Sequence, residues 1–347
     1  MTVIVPEALQ VTSVAGAQNF PTIVESDTHN AIADYDETTA YHVLSYETDS
    51  ETGLLTNVVE NKQDTVYYTV SADKNVSETD YIGVFTALGD VPKGVAPDNP
   101  DSGTMYWGFV GVKNEDAFLD KYLNTNTLSE VNTPLKITFS TGISDTIACL
   151  NVDCRYIYIN YNDGSDDVEY MIDLRQVRDI WSEESYPDII NESEAFFNVP
   201  LNNGVVFTLT FTNGNKDSST GIVGVGKIIA GRKRQIGETM YPVDVSLMTT
   251  YTKETESGTG AVYSNLQYTY KDVSYNVSID NSRRELCYRL FESVAGKNVL
   301  FVPTLGDDDG WYEGDTSIIS YGFFQDFNMT LEGAVVSEFN ISVEGIR

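Results

Sequence analysis

Apolar residues at every second position limit what this chain can fold into more than any single motif does. In "VVFTLTF", Phe207, Leu209 and Phe211 fall on one side and Thr208 and Thr210 on the other. In "DVSYNVSID", Val273, Tyr275, Val277 and Ile279 alternate with polar residues in the same way. A period of two is the signature of a strand with one buried face. "PLKITFS", "IACLNVDCRYIYINY", "VEYMIDL", "NVLFVPT", "ISYGFFQDFNMTL" and "SEFNISVEGI" read as further strands. The abundance of Tyr, Thr, Val and Asn favours strands and the turns between them. Asp163-Gly164, between two alternating runs, predicts a hairpin with a type I′ turn.

One segment breaks this rhythm. "NSRRELCYRLFESVAGK" predicts a short helix near 282–295. Ser282 and Glu285 have the spacing of a capping box. Leu286, Leu290 and Val294, with Phe291 beside them, form an apolar stripe, and Gly296 stands where a left-handed C-cap is wanted. The expected fold is therefore mainly β and multi-domain. A small N-terminal β module precedes two antiparallel β-sandwich-like domains, the second carrying the helix. The expected boundaries are an N-terminal arm over 1–30, the small module over 31–112, a sandwich-like domain over 113–230 and a C-terminal β domain over 231–347.

Composition removes several function classes. The chain has 52 acidic against 21 basic residues, a formal net charge of -31. Its long-range field repels DNA, RNA and anionic lipid, so no nucleic-acid partner is expected. With only His29 and His42, zinc sites and histidine-based triads lack their ligands and bases. Cys149, Cys154 and Cys287 read as buried free thiols. "GDDDGWYEGD", Asp307 to Asp315, has a calcium-loop composition but not its register, and is read as an exposed acidic loop. No nucleophile-elbow, Walker or zincin motif occurs. The expectation is a non-enzyme with no cofactor and no metal. The N-terminus lacks the pattern of a signal peptide and no apolar run reaches membrane-span length, so synthesis in a cytoplasm without membrane insertion is expected.

Two groups of side chains stand out as site candidates. Tyr35, Tyr41, Tyr67 and Trp107 belong to the small module, where aromatic rings could stack on sugar rings or build the module's core. Arg232, Lys233 and Arg234 concentrate positive charge at one point of an acidic chain. Because the field disfavours nucleic acid, the triplet is read as an interdomain or intersubunit assembly contact, or as a solvated loop.

The order of segments resembles a family of structural proteins from bacteriophage tails and virions. "DETTAY" (Asp36 to Tyr41), "VYYTVS" (Val66 to Ser71) and "WGFVGVKNEDAFLD" (Trp107 to Asp120) resemble its N-terminal module, which is similar to chitin-binding-type carbohydrate-binding modules. "HVLSY" stands where that module has G-D-x-V. "IVGVGKIIAGRKRQIGETMYPVDVSL", "LFESVAGKNVLFVP", "YGFFQDFNMTL" and a closing "SVEGI" continue the series. The resemblance implies a virion tail protein forming a ring or sheath-like sleeve. Its partners would be copies of itself and other tail proteins, whether tail-tube, portal-proximal or baseplate components. It also leaves open a tail adhesin reading host surface glycan through the small module, and a capsid decoration protein.

Overall fold

The computed structural model describes residues 1–18, 33–41, 46–48, 55–57, 65–71, 79–99, 103–162, 167–175, 193–255, 262–303, 316–330 and 336–346. The chain divides into two compact units. The larger holds Met1–Ala17 and Lys121–Arg347, and the smaller holds Gln18–Asp120. The fold is mainly β, with nearly all strand pairs antiparallel.

The strands follow in chain order. They begin with β1 (Thr2–Pro6), β2 (Leu9–Ala15), β3 (Ala33–Asp34), β4 (Tyr46–Thr48), β5 (Leu55–Asn57), β6 (Thr65–Val70), β7 (Tyr81–Ala87) and β8 (Trp107–Val112). Next come β9 (Thr127–Leu128), β10 (Leu135–Thr141), β11 (Ile143–Asp153), β12 (Tyr156–Asn162), β13 (Asp167–Asp173), β14 (Ala195–Asn203) and β15 (Val206–Thr212). The last are β16 (Gly224–Gln235), β17 (Glu238–Thr255), β18 (Val262–Asp280), β19 (Val299–Val302), β20 (Ser320–Thr330) and β21 (Val336–Gly345).

In the larger unit a ten-stranded sheet runs β14-β11-β16-β1-β19-β20-β21-β18-β17, with β9 added on β16. A five-stranded sheet runs β13-β12-β15-β10-β2. Its inner face is made by the alternation read in the sequence. Leu135, Ile137 and Phe139 of β10, Ile157 and Ile159 of β12, and Phe207, Leu209 and Phe211 of β15 are all fully buried. Polar partners such as Thr138 and Thr208, 3.2 Å apart, line the other face. The two sheets meet where β10 touches β16. In β11, Ile147 and Cys149 are buried on one side, and Ala148 and Leu150 on the other pack with Ile4, Phe196 and Leu300.

The expected N-terminal arm is overturned over its first fifteen residues. β1 lies in the middle of the ten-stranded sheet, with Ile4 opposite Lys233 of β16 and Leu300 of β19, and β2 pairs with β10 in the other sheet. The physical reason is burial on both faces: Val3 and Ile4 are wholly inaccessible. Such a strand shows an unbroken apolar run rather than alternation. Residue 230, expected at a domain boundary, falls inside β16, which continues to Gln235.

The helix, α1, spans Arg284–Val294 after a 3-10 turn over Asn281–Arg283. Its start differs from the expected capping box. Asp280, not Ser282, supplies the cap, its Oδ1 accepting the Ser282 N–H at 2.7 Å. The buried stripe is also rotated. Cys287, Phe291 and Val294 are buried while Leu286 is 66% exposed. Phe291 packs against Phe327, Phe324 and Phe339 at ring-centroid distances of 4.5, 5.4 and 5.9 Å. That cluster covers the face of the sheet formed by Val273, Tyr275, Val277 and Ile279. Gly296 has φ +74, the left-handed conformation the sequence asked for.

The three cysteines are free and buried, and burial pushes the Cys154 and Cys287 thiols up to about 12. The Asp163-Gly164 turn lies outside the described residues, although β12 and β13 on either side pair antiparallel from Asn162 opposite Asp167. The acidic loop Asp307 to Asp315 lies outside them as well. Among the described residues no cluster of His, Cys, Asp and Glu could hold a metal, and no helix is long and apolar enough to cross a membrane.

Candidate functional site

The smaller unit carries the four-stranded sheet β3-β6-β7-β8, and its register decides what each aromatic can do. Adjacent residues of a strand point to opposite faces, so Tyr67 and Tyr68 part company. Tyr67 faces Lys113, whose Nζ lies 5.6 Å from its ring centroid. Tyr68 turns to the other face, where a row of rings runs Trp107, Tyr41, Tyr35, Tyr68, Phe85, Phe109. Successive centroids are 5.1, 5.7, 5.6, 6.2 and 5.3 Å apart.

One end of that row is core. Trp107 and Tyr41 are 3% and 7% exposed, packed with Val66, Ala87 and Val91. The indole Nε1 of Trp107 donates to Val95 O at 2.9 Å. "DETTAY" explains Tyr41's position. The Asp36 carboxylate accepts the Thr38 N–H at 2.9 Å and closes a turn, and the Asp36 N–H donates to the Tyr41 hydroxyl at 2.7 Å. These bonds to Thr38 and Thr39 hold the Asp36 carboxyl below its usual value.

The other end of the row is a rim. Tyr35, Tyr68 and Phe85 are half-buried, and Phe109 is 49% exposed. Partial burial, and then the hydrogen bond to Asp98, push the Tyr68 phenol far above its usual range. Of the four aromatics singled out in the sequence, the structure therefore brings Tyr35, Tyr41 and Trp107 together and sends Tyr67 to the opposite face. Tyr68, Phe85 and Phe109 complete the row. Tyr68 stands in "VYYTV", Phe85 in "YIGVFTA" and Phe109 in "WGFVG", but which face each ring takes depends on register.

In the larger unit, Arg232, Lys233 and Arg234 lie within β16, paired with Val5, Ile4 and Val3 of β1. They are not in a loop. All three are exposed, and none makes an ion pair among the described residues. The Lys233 N–H donates to Asp145 Oδ1 at 2.7 Å and its Nζ to Asn198 Oδ1 at 3.4 Å. Arg232 and Lys233 share a cleft of ≈ 640 Å³ with Asp145 and Glu238.

The longest strands were legible as strands, as at "DVSYNVSID", but their length and their pairing were not. β17 and β18, of 18 and 19 residues, form a two-stranded ribbon. β21 pairs with β18 only from Asp272 to Asp280. From Thr249 to Thr255 and from Val262 to Thr269, the two strands are paired only with each other among the described residues. At about 3.3 Å per residue, an 18-residue strand spans roughly 60 Å. β17 is also the last strand of the ten-stranded sheet, and it presents Tyr241, Leu247, Val245 and Met248 at 90%, 71%, 43% and 43% exposure.

No family model matches this chain, and no curated protein or solved structure is significantly similar to it. What the two units do is therefore argued from their residues and geometry.

Proposed function

We propose that the protein is a non-enzymatic structural component of a bacteriophage virion, a tail protein that assembles with copies of itself into a ring or sleeve. The observation that carries this reading is the β17–β18 ribbon. A strand edge of this length that is unpaired among the described residues, with large apolar side chains in water, offers backbone groups and apolar area to another chain. A monomer gains nothing from it, whereas an assembly can complete the sheet across subunits. Three cations in β16 that make no ion pair among the described residues support the same reading. In a chain of net charge -31, the acidic surface of a neighbouring copy would add carboxylates to Asp145 and Glu238 of the same cleft. The order of sequence segments supports placing that assembly in a phage tail.

Light scattering and electron microscopy of the full chain, alone and with purified tail components, test the reading. Oligomers or incorporation into tails are expected, and replacing residues 249–268 by a short Gly-Ser turn should abolish both while leaving the thermal melt in place. A chain that stays monomeric at every concentration and is absent from disassembled virions would overturn the proposal.

A further inference from the structure

We infer that Arg232 and Arg234 of one copy bind the Asp272 and Glu344 carboxylates of a second copy, a contact that rests on the assembly reading and names the groups that meet in it.

The two carboxylates are singled out by what surrounds them. Asp272 of β18 faces Glu344 of β21 on one side and Ser246 of β17 on the other. Glu344 in turn faces Phe323 of β20. The row across these four strands therefore holds two like charges and no cation. Both residues are half-buried. Glu344 accepts a hydrogen bond from Gln325, whereas Asp272 Oδ1 has no partner among the described residues. Like charges directly opposite destabilise a sheet, and a buried acceptor without a donor adds to that cost. The neighbouring cation, Lys271, points to the other face of the sheet, where its Nζ donates to Ser317 O at 2.8 Å. Elsewhere in the larger unit carboxylates have cations of their own: Asp173 pairs with Arg155, and Glu169 with Lys216. Asp272 and Glu344 form no ion pair among the described residues. They also stand at the root of the ribbon, because β21 pairs with β18 no further than Asp272.

The complementary set lies on β16. Arg232 and Arg234 are two residues apart, so both leave the same face of the strand, roughly 7 Å from each other. Lys233 leaves the opposite face, where its Nζ reaches Asn198. Each guanidinium presents a planar fork that fits one carboxylate. Two forks at that spacing match two carboxylates on adjacent strands, whose Cβ atoms are about 5 Å apart. Charges covered by an interface are screened less than charges left in water, and such pairs fix which surfaces meet. The two patches lie at different places on one molecule, so the contact is head-to-tail. A head-to-tail contact closes into a ring or runs on as a filament, which is the form that a ring or sleeve requires.

Charge reversal in trans tests the contact. One variant carries Arg232→Glu with Arg234→Glu, and a second carries Asp272→Lys with Glu344→Lys. Each alone should associate at least tenfold more weakly than wild type in analytical ultracentrifugation at low salt. An equal mixture should recover association, because in an alternating assembly the reversed patches meet each other and the native patches do likewise. Asp272→Asn with Glu344→Gln covers the case in which a reversed variant fails to fold. It removes the repulsion within the chain, so it should raise the monomer's melting temperature and still weaken association several-fold. A wild type that stays monomeric would overturn this contact and the assembly reading together. A wild type that assembles, with a folded mixture no better than its components or with the neutral variant associating as wild type does, would overturn this contact and leave the ribbon reading in place.

Discussion

Asp272 of β18 and Glu344 of β21 sit directly opposite each other in the antiparallel register. Two carboxylates in that position repel, a cross-strand effect of about 0.2–1 kcal/mol. Asp272 Oδ1 also has no hydrogen-bond partner among the described residues. Desolvation first, and Glu344 second, push the Asp272 carboxyl up. A carboxyl with a raised folded value holds its proton more tightly folded than unfolded. Its contribution to stability is therefore full below the ordinary Asp value and lost as pH rises through the folded value. Asp272→Asn should raise the melting temperature at pH 7, and its advantage should shrink to nothing near about pH 4. Thermal melts of both proteins across that range check this; an advantage independent of pH would contradict it.

Smaller-unit stability carries a similar dependence. Asp116 is pushed up by burial, although its Oδ2 accepts the Ile82 N–H at 3.0 Å. Asn at this position keeps an oxygen acceptor and removes the buried charge. Asp116→Asn should flatten the loss of stability on going from acid to neutral pH, measured by denaturant unfolding at several pH values. A steeper dependence in the variant would show the carboxylate to be stabilising.

The helix stripe gives a direct contrast. Phe291→Ala empties a site touched by three phenylalanines and should cost about 3–5 kcal/mol. Leu286→Ala, on the exposed side, should stay within about 0.5 kcal/mol. Asp280→Ala should lower the melting temperature at neutral pH more than Ser282→Ala does. Urea unfolding of the four variants distinguishes the observed stripe and cap from those expected from the sequence.

Gly231 lies in β16 opposite Pro6 of β1. A Cβ there would stand 2.2 Å from the Val5 carbonyl oxygen and 3.0 Å from its carbon. Both are backbone atoms and cannot swing aside. Gly231→Ala should cost about 1–3 kcal/mol or more by separating β1 from β16. Hydrogen exchange at residues 2–6 and 231–235 would locate the damage.

The basic triplet makes a salt-dependent prediction. Changing Arg232, Lys233 and Arg234 together to Ala should weaken self-association more at low than at high ionic strength, because exposed charges are screened within about 10 Å at 0.1 M salt. The monomer's melt should be unaffected. Association that ignores both the substitution and the salt, followed by analytical ultracentrifugation, would remove these residues from the contact.

Much of the β framework was legible because one-sided strands write their burial into alternation, as at Phe207, Leu209 and Phe211. β1 was not, because Val3 and Ile4 are covered on both faces and leave no period to read. The helix was legible in position but not in rotation. Cys287 reads as neutral to a pattern search, yet it faces the core while Leu286 does not. At the aromatic site the inventory was visible, but the choice between Tyr67 and Tyr68 is a one-residue question of register. Only the pairing of β6 with β7 answers it.

The central place of β1 has a consequence for how the protein is made. Residues 2–6 leave the ribosome well before their neighbours in the sheet, residues 231–235 and 300–302. At translation rates of about 5–20 residues per second, that partner chain arrives on the order of tens of seconds later. Until then Val3 and Ile4 have no native cover, and the ten-stranded sheet stays divided into two halves. The larger unit thus closes only after residues 300–302 have been synthesised and can reach β1.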